Sequence, residues 1–410
     1  MRIALLHPAS PTAEGSGAVH SATLIGESLH SLGHEVVFYC PEAVDEGYSK
    51  VNTRELDIES SAVKNKYSKI NERILALADE LGSFDIFHSY LMRTIPSVGK
   101  ISTNYSVTTV VTLNAYGALC PKNDLLYENE ENCRSNGPLR CTSCVYNSMR
   151  ELPPKPDHGS IYRGGRVLHH TIKNMKSYPI ISETDKFKEN INAFQALSSR
   201  VKKIYSDFGY HAKDINVIPN ILDEKFEKRH ESDFLDPVRL LYVGELKKHK
   251  GVDRLPAVLR NLNARGKREF KLSVVGKGPF EKYLVEEIQE KNLTDSISVE
   301  GFVAHDALPS VYANHDLFVY PGRWHEPFGR VFLESLAAGT PVVSTDVGAA
   351  AEIIGGAGEV GEDIDELTDL ILSLTSVQLQ NYSEQATSEA KKFDRDVVVG
   401  KIDNLYKKID

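Results

Sequence analysis

The feature that most constrains this chain is its alternation of short apolar runs with amphipathic stretches. "RIALLHP" reads as a strand, "AVHSATLIGESLHSLG" as a helix closed by Gly33, and "HEVVFYC" as a second strand. A strand–helix–strand unit crosses over right-handed, so the two strands lie parallel. The rhythm continues through "ERILALADELG", "FDIFHSY" and "SVTTVVTLN", and again through "INAFQALS", "SRVKKIYSDFG" and "INVIPN". A polar stretch at 219–237, "PNILDEKFEKRHESDFLDP", suits a linker. A second run of alternation follows, from "RLLYVGE" to "PVVSTD".

The expected fold is therefore α/β, two Rossmann-like domains in tandem with a ligand cleft between them. The boundaries read as 1–217 for the first domain and 218–391 for the second. A final helix at 392–410 has no strand to follow and is expected to pack back on the first domain. Residues 115–165, rich in Cys, Asn, Pro and Gly, break the rhythm and read as a long insertion without a sustained period.

Composition narrows the partners. A net charge of −9 argues against a nucleic-acid binder. No apolar run approaches the roughly 20 residues that span a bilayer. The start, "MRIALLHPAS", meets Pro after a few apolar residues and reads as a strand, not a secretion signal. The expected compartment is the cytoplasm, with reduced thiols. A basic tract, "KPDHGSIYRGGRVLHHTIKNMKS", suits either a solvated helix or peripheral contact with a membrane or an anionic lipid-linked acceptor.

Ligands of parallel sheets bind beyond the carboxyl ends of the strands. Three segments fall there in the second domain: "VGELKKHKG", "VGKGP" and "PGRWHEPFG". The helix after the last of these is expected to start near Phe328–Gly329, with Gly339 and Pro341 at its exit. Its first amides, at Phe328, Gly329 and Arg330, would attract an anion such as a diphosphate. Glu334 lies inside this apolar helix, and a buried carboxylate needs hydrogen-bond donors, which the cis-diol of a ribose would supply. A lone Glu in this setting more often caps a nearby loop or faces solvent; Glu326 at the helix mouth, Gly329 and the cleft position favour the ligand.

The stretch "HEPFGRVFLESLAAGTPVVSTDVGAAAEII" resembles the core of glycosyltransferase family 4, retaining nucleotide-sugar transferases of the GT-B fold. The family's two glutamates separated by seven residues correspond to Glu326 and Glu334. By that resemblance Glu326 contacts the donor sugar and Glu334 the ribose, while the amides from Phe328 to Val331 meet sugar and diphosphate. Lys250 and Gly244 fall in a segment similar to the family's diphosphate-binding loop, with Glu245 where the family usually has Arg; Lys247, Lys248 and Arg254 are candidate substitutes. Gly276 matches the next loop, Phe302 and Val303 the base-pairing edge, and Gly15 and Gly17 the family's first glycine loop. On the acceptor side the resemblance points to His88, Tyr90 and Asn114, the last two standing where family members often have His.

Cys120, Cys133, Cys141 and Cys144 read as C-x12-C-x7-C-x2-C, a spacing that fits a structural zinc site and equally free thiols or disulfides. Cys40 reads as a small buried hydrophobe. The segment also resembles a cysteine-bearing loop in a branch of the same transferases.

The resemblance implies a hexosyltransferase using a nucleotide-diphosphate sugar, UDP-sugar foremost, and a carbohydrate or lipid-linked acceptor, in glycan synthesis. With no Asp-x-Asp in the cleft strands, no cofactor is expected for catalysis. Catalysis is expected of Glu326 and Lys250. Two other readings are an impaired sugar-nucleotide-binding or partner subunit and a GT-B epimerase or phosphorylase.

Overall fold

The computed structural model describes residues 1–13, 17–42, 48, 50–58, 65–150, 160–226, 234 and 236–410, with 160–163 described by their backbone alone. They form two compact units, Met1–Ile221 with Arg395–Asp410, and Leu222–Asp394.

The first unit holds strands β1 (Arg2–Leu6), β2 (Glu35–Cys40), β3 (Asn52–Glu55), β4 (Ile86–Ser89), β5 (Thr108–Leu113), β6 (Leu126–Tyr127), β7 (Glu131–Asn132), β8 (Ala193–Ala196) and β9 (Ile215–Val217). Seven of them build one sheet in the order β3-β2-β1-β4-β5-β8-β9, paired in parallel throughout. Parallel strands covered on both faces are near-continuous apolar runs, which is why β1, β4 and β5 stand out in the sequence. The edge strand β3, "NTRE", carries no such signal: its side chains are mostly exposed and only its backbone pairs with β2. Residues 115–165 are less irregular than the sequence suggests. They contain the β6–β7 hairpin and a helix, Pro138–Arg150. Residues 151–159 lie outside the described residues.

The closing helix, Arg395–Ile409, contributes Val398, Val399, Ile402, Leu405 and Tyr406 to the core of the first unit, with Ile3, Leu5 and Ile25. This packing explains the placement of His88. The residue sits mid-sheet between Leu5 of β1 and Val110 of β5 and is wholly buried. Nδ1 bonds the Tyr406 hydroxyl at 2.6 Å and Nε2 the Thr112 hydroxyl at 2.7 Å. Both ring nitrogens are spent, so His88 is a core histidine and does not face an acceptor. Tyr90 is likewise buried, donating to Asn220 Oδ1 at 2.8 Å. Asn114 donates to the Tyr90 carbonyl at 3.1 Å, and its Oδ1 is buried without a partner. The side chains read as acceptor-side residues thus serve mainly to knit the first unit together.

Burial lowers the His88 pKa to about 3 and that of His7 to about 4, the latter against smaller opposing bonds to Ala9 and Val19. A base whose folded pKa is depressed stabilises the fold above its unfolded value near 6.5 and loses that contribution as the pH falls below it. We expect unfolding of the first unit in denaturant to become easier by about 1.4 kcal/mol per pH unit for each such histidine between pH 6.5 and 4.5. The acid slope should drop by that amount in His88→Gln; an unchanged slope would show that His88 is not the titrating group.

Candidate active site

The second unit holds β10 (Val238–Val243), β11 (Phe270–Val275), β12 (Ile297–Gly301), β13 (Leu317–Tyr320), β14 (Val342–Thr345) and β15 (Gly358–Gly361). They pair in parallel in the order β12-β11-β10-β13-β14-β15. The chain steps outward from β10 to β12, then returns to β13 on the other side of β10. Such a reversal is where parallel sheets bind ligands. The two segments beyond the reversal are 244–251, after β10, and 321–329, after β13.

Four features clamp these segments together. Gly251 has φ +80°, and a Cβ there would collide with the Pro321 carbonyl oxygen, so only glycine permits the approach. Arg254 donates to the Pro321 and Gly322 carbonyls at 3.2 and 3.1 Å. Arg323 grips Asp253 in bidentate fashion at 2.6 and 2.8 Å. It also donates to the Lys248 carbonyl at 2.7 Å.

The clamp brings Lys250 to Glu326, with Nζ 2.5 Å from Oε2. The same oxygen accepts from the Tyr320 hydroxyl at 3.1 Å and Trp324 Nε1 at 2.9 Å. The Lys250 ammonium also lies 4.4 Å from the centre of the Trp324 ring, a cation–π contact. The Tyr320 ring is stacked on Tyr242, centroids 6.1 Å apart, which steadies its hydroxyl. Gly348, at φ +58°, fits against the Glu326 backbone where a Cβ would clash, and the Ala349 amide donates to the Glu326 carbonyl at 3.0 Å. Glu326 is therefore held through both side chain and backbone.

The following helix spans Arg330–Ala337, with Gly329 at its N-cap in the left-handed region, φ +79°. It begins later than the expected Phe328–Gly329. Phe328 is buried instead, edge-on to the Phe393 ring at 5.6 Å. The Phe332 amide is spent on the Gly329 carbonyl at 2.9 Å. The amides just ahead of it belong to Gly329, Arg330 and Val331, at the helix N-terminus where anions are favoured.

Glu334 lies just over one turn into this helix and is buried. Its Oε2 accepts from the Tyr312 hydroxyl at 3.2 Å. Its Oε1 lies 3.5 Å from Arg330 Nε and 3.9 Å from His305 Nε2. Burial pushes the carboxyl upward, but His305, Arg330 and Tyr312 together outweigh it and hold its pKa below the ordinary value. Glu334 is an ionised carboxylate in a buried place, able to accept further hydrogen bonds.

Other residues singled out in the sequence have different duties. Gly276, φ +137°, packs on the Gly244 carbonyl. The Gly244 amide donates to Val275 O at 3.0 Å and the Gly276 amide to Gly301 O at 2.7 Å. These two glycines bring neighbouring loops together and present no open amide. Glu245 is exposed and paired with Lys247 at 2.7 Å, so its charge is balanced and that lysine is occupied. Arg254 is committed to carbonyls, and burial, helped by the nearby Arg323 charge, lowers its pKa to about 10. Phe302 is 52% exposed beyond β12, with Lys277 Nζ 5.9 Å from its ring centre, and Val303 is half-buried. Gly17 opens the Gly17–Ser31 helix; Gly15 lies outside the described residues. Sequence reasoning missed Tyr312, His305, Tyr320, Trp324 and Gly348. Only Trp324, the single tryptophan and two residues from Glu326, offered a signal.

Residues 223–393 match the family model of group 1 glycosyl transferases. That region contains every element of the site just described. An uncharacterized glycosyltransferase of Methanocaldococcus jannaschii is 31% identical over 205 residues, 48% of this chain and 50% of the relative. The O-antigen chain mannosyltransferase B of Escherichia coli is 29% identical over 174 residues, 41% of this chain and 45% of the relative. The chain spans about half the length of the curated relatives it matches. Over its whole length the fold is that of GT-B glycosyltransferases. Sucrose-phosphate synthase of Thermosynechococcus elongatus superposes with a TM-score of 0.71 at 17% identity, covering 100% of this chain and 99% of that one. Anabaena HepE, solved with UDP, gives 0.68 at 16% identity, covering 99% of both chains.

Gly251→Ala tests the clamp. Its Cβ must displace the Pro321 carbonyl and adopt a left-handed φ, and we expect a loss of about 2–4 kcal/mol in the stability of the second unit. Denaturation showing a loss below 1 kcal/mol would mean the two segments are not held by this contact.

Proposed function

We propose that the protein is a retaining glycosyltransferase that moves a hexose from a nucleotide-diphosphate sugar, UDP-hexose foremost, to an acceptor hydroxyl in surface-glycan or glycoconjugate synthesis. The observation that carries this reading is the Lys250–Glu326 pair beside the open end of the Arg330–Ala337 helix, with ionised Glu334 one turn further in. A neighbour of the same fold was solved with UDP-glucose, which supports the donor class.

In this reading Glu334 accepts the two ribose hydroxyls, and the helix-end amides and the Lys250 ammonium face the diphosphate. Glu326 orients the sugar. The bond from the anomeric carbon to the diphosphate oxygen breaks as the bond to the acceptor oxygen forms, and the acceptor's proton passes to the leaving phosphate. Charge on that leaving group is what Lys250 and the helix terminus stabilise. They supply what a divalent cation would, so turnover should not depend on added magnesium.

The acceptor we favour is lipid-linked and presented at a membrane surface. Supporting it are the exposed Leu168 and Ile172, one turn apart on the Ser160–Met175 helix, beside Arg166 and Lys173. No helix among the described residues is long and apolar enough to cross a membrane. A second reading, a sugar-nucleotide-binding subunit without turnover, is favoured by the burial of His88 and Tyr90.

Calorimetry with UDP, GDP and ADP on wild type and Glu334→Ala separates these readings. We expect one nucleotide to bind wild type and to be lost in the variant. Lys250→Ala should keep nucleotide binding within about tenfold yet lower kcat on the order of 100-fold. Binding without turnover of any UDP-, GDP- or ADP-hexose would select the subunit reading, and no binding at all would overturn both. An acceptor screen that rewards only free sugars would remove the lipid-linked acceptor.

A further inference from the structure

The donor site leaves unused a second cluster of reactive side chains, in the first unit. Cys120, Cys133, Cys141 and Cys144 all line one small pocket, with Lys122, Tyr127 and Arg140. None is in a disulfide, and three of them are buried. They come from three separate pieces of chain. Cys120 leads into the turn before β6, Cys133 follows β7, and Cys141 and Cys144 stand three residues apart on one face of the Pro138–Arg150 helix. Cysteines that fold merely to fill space need not converge from three directions.

The sulfurs have polar neighbours: Cys133 Sγ donates to the Ser135 carbonyl at 3.1 Å and Cys144 Sγ to the Leu126 carbonyl at 3.7 Å. The Glu128 amide donates to Cys144 Sγ at 3.2 Å. Donors aimed at sulfur favour its anion and orient it, the usual duty of groups just outside a metal's ligands. Arranging them has a cost: Asn123, Leu125, Glu128 and Asn129 all have positive φ, at 68°, 55°, 51° and 66°. Non-glycine residues stay in that region only where surrounding structure compels them. Two cations also belong to the site. Lys122 is almost wholly buried, bonded to Asn129 and Ser148 and 3.5 Å from Asp124, and Arg140 lies over the Tyr127 ring.

We propose that these four cysteines bind one zinc ion as a structural tetrathiolate site. Each ligand releases its thiol proton to solvent, leaving a site of net charge −2 that Lys122 and Arg140 partly balance. Zinc–sulfur bonds of about 2.3 Å require closer sulfurs than the present arrangement, in which no three of them lie within 4.8 Å of one another. Metal binding therefore draws all four sulfurs closer together, the half-buried Cys133 among them. The ion would staple a segment that otherwise has only a hairpin of two-residue strands and one helix. Its role is structural, since zinc with four protein ligands keeps no open position.

The test uses the full chain, purified without added metal or chelator. Elemental analysis should find close to one zinc per chain. Cobalt exchanged into the site should show tetrahedral ligand-field bands with thiolate charge transfer. Cys141→Ser with Cys144→Ser should lose both the zinc and the cobalt spectrum. UDP binding by the second unit reports whether the variant remains folded there. Wild type without zinc and without a thiolate–cobalt spectrum overturns the proposal. So does zinc retained in the double variant, or disulfides among the four cysteines in mass spectra of the freshly purified chain.

Discussion

A parallel sheet whose strand order reverses must leave a gap above two adjacent strands, and the second unit is organised around that gap. β10 and β13 are neighbours, but the chain visits two other strands between them. Their following loops are thus forced side by side with no helix between. Gly251 tightens the approach, Arg254 and Arg323 lock it, and Lys250 and Glu326 meet as a result. The ion pair is local, but its existence depends on the topology of the whole sheet.

Burial alone does not set the charge of these groups. Glu334 and His88 are both enclosed, with opposite outcomes. Glu334 has a guanidinium, an imidazole and a hydroxyl around it, and these outweigh desolvation, so it remains ionised. His88 has two hydroxyls at its ring nitrogens, so desolvation wins and the ring stays neutral. An ionised buried carboxylate is poised to accept hydrogen bonds from a ligand. A neutral, fully bonded imidazole is a structural cross-link. The physical contrast separates a candidate binding group from a core residue where residue type cannot.

Much of this was legible in the sequence where one residue's physics dominates its surroundings. Strands buried on both faces announced themselves as apolar runs, whereas the edge strand β3 did not, because its side chains are mostly exposed. Glu334 was conspicuous as a charge amid apolar neighbours, whereas Lys250 stood out only by its place in a segment similar to the family's diphosphate-binding loop. Glu245 stands where the family usually has Arg, but it is exposed and Lys247 balances its charge. Gly244 and Gly276 fall in segments similar to the family's donor-binding loops, yet here they serve each other's loops.

The sequence by itself determined the two α/β units, the carboxylate pair with its lysine, and a cysteine cluster of ligand-like spacing. The units and the cysteine spacing follow from periodicity and residue chemistry, which are local properties of a chain, whereas the carboxylate pair with its lysine stood out through the family resemblance. Tertiary structure alone decided that Tyr312, His305 and Arg330 surround Glu334 and that Tyr320 and Trp324 hold Glu326. It also decided that Tyr406, more than 300 positions away, closes over His88, and that four cysteines from three segments line one pocket. Those facts depend on which distant residues meet. That is set by strand order and helix packing, and no window of sequence contains it.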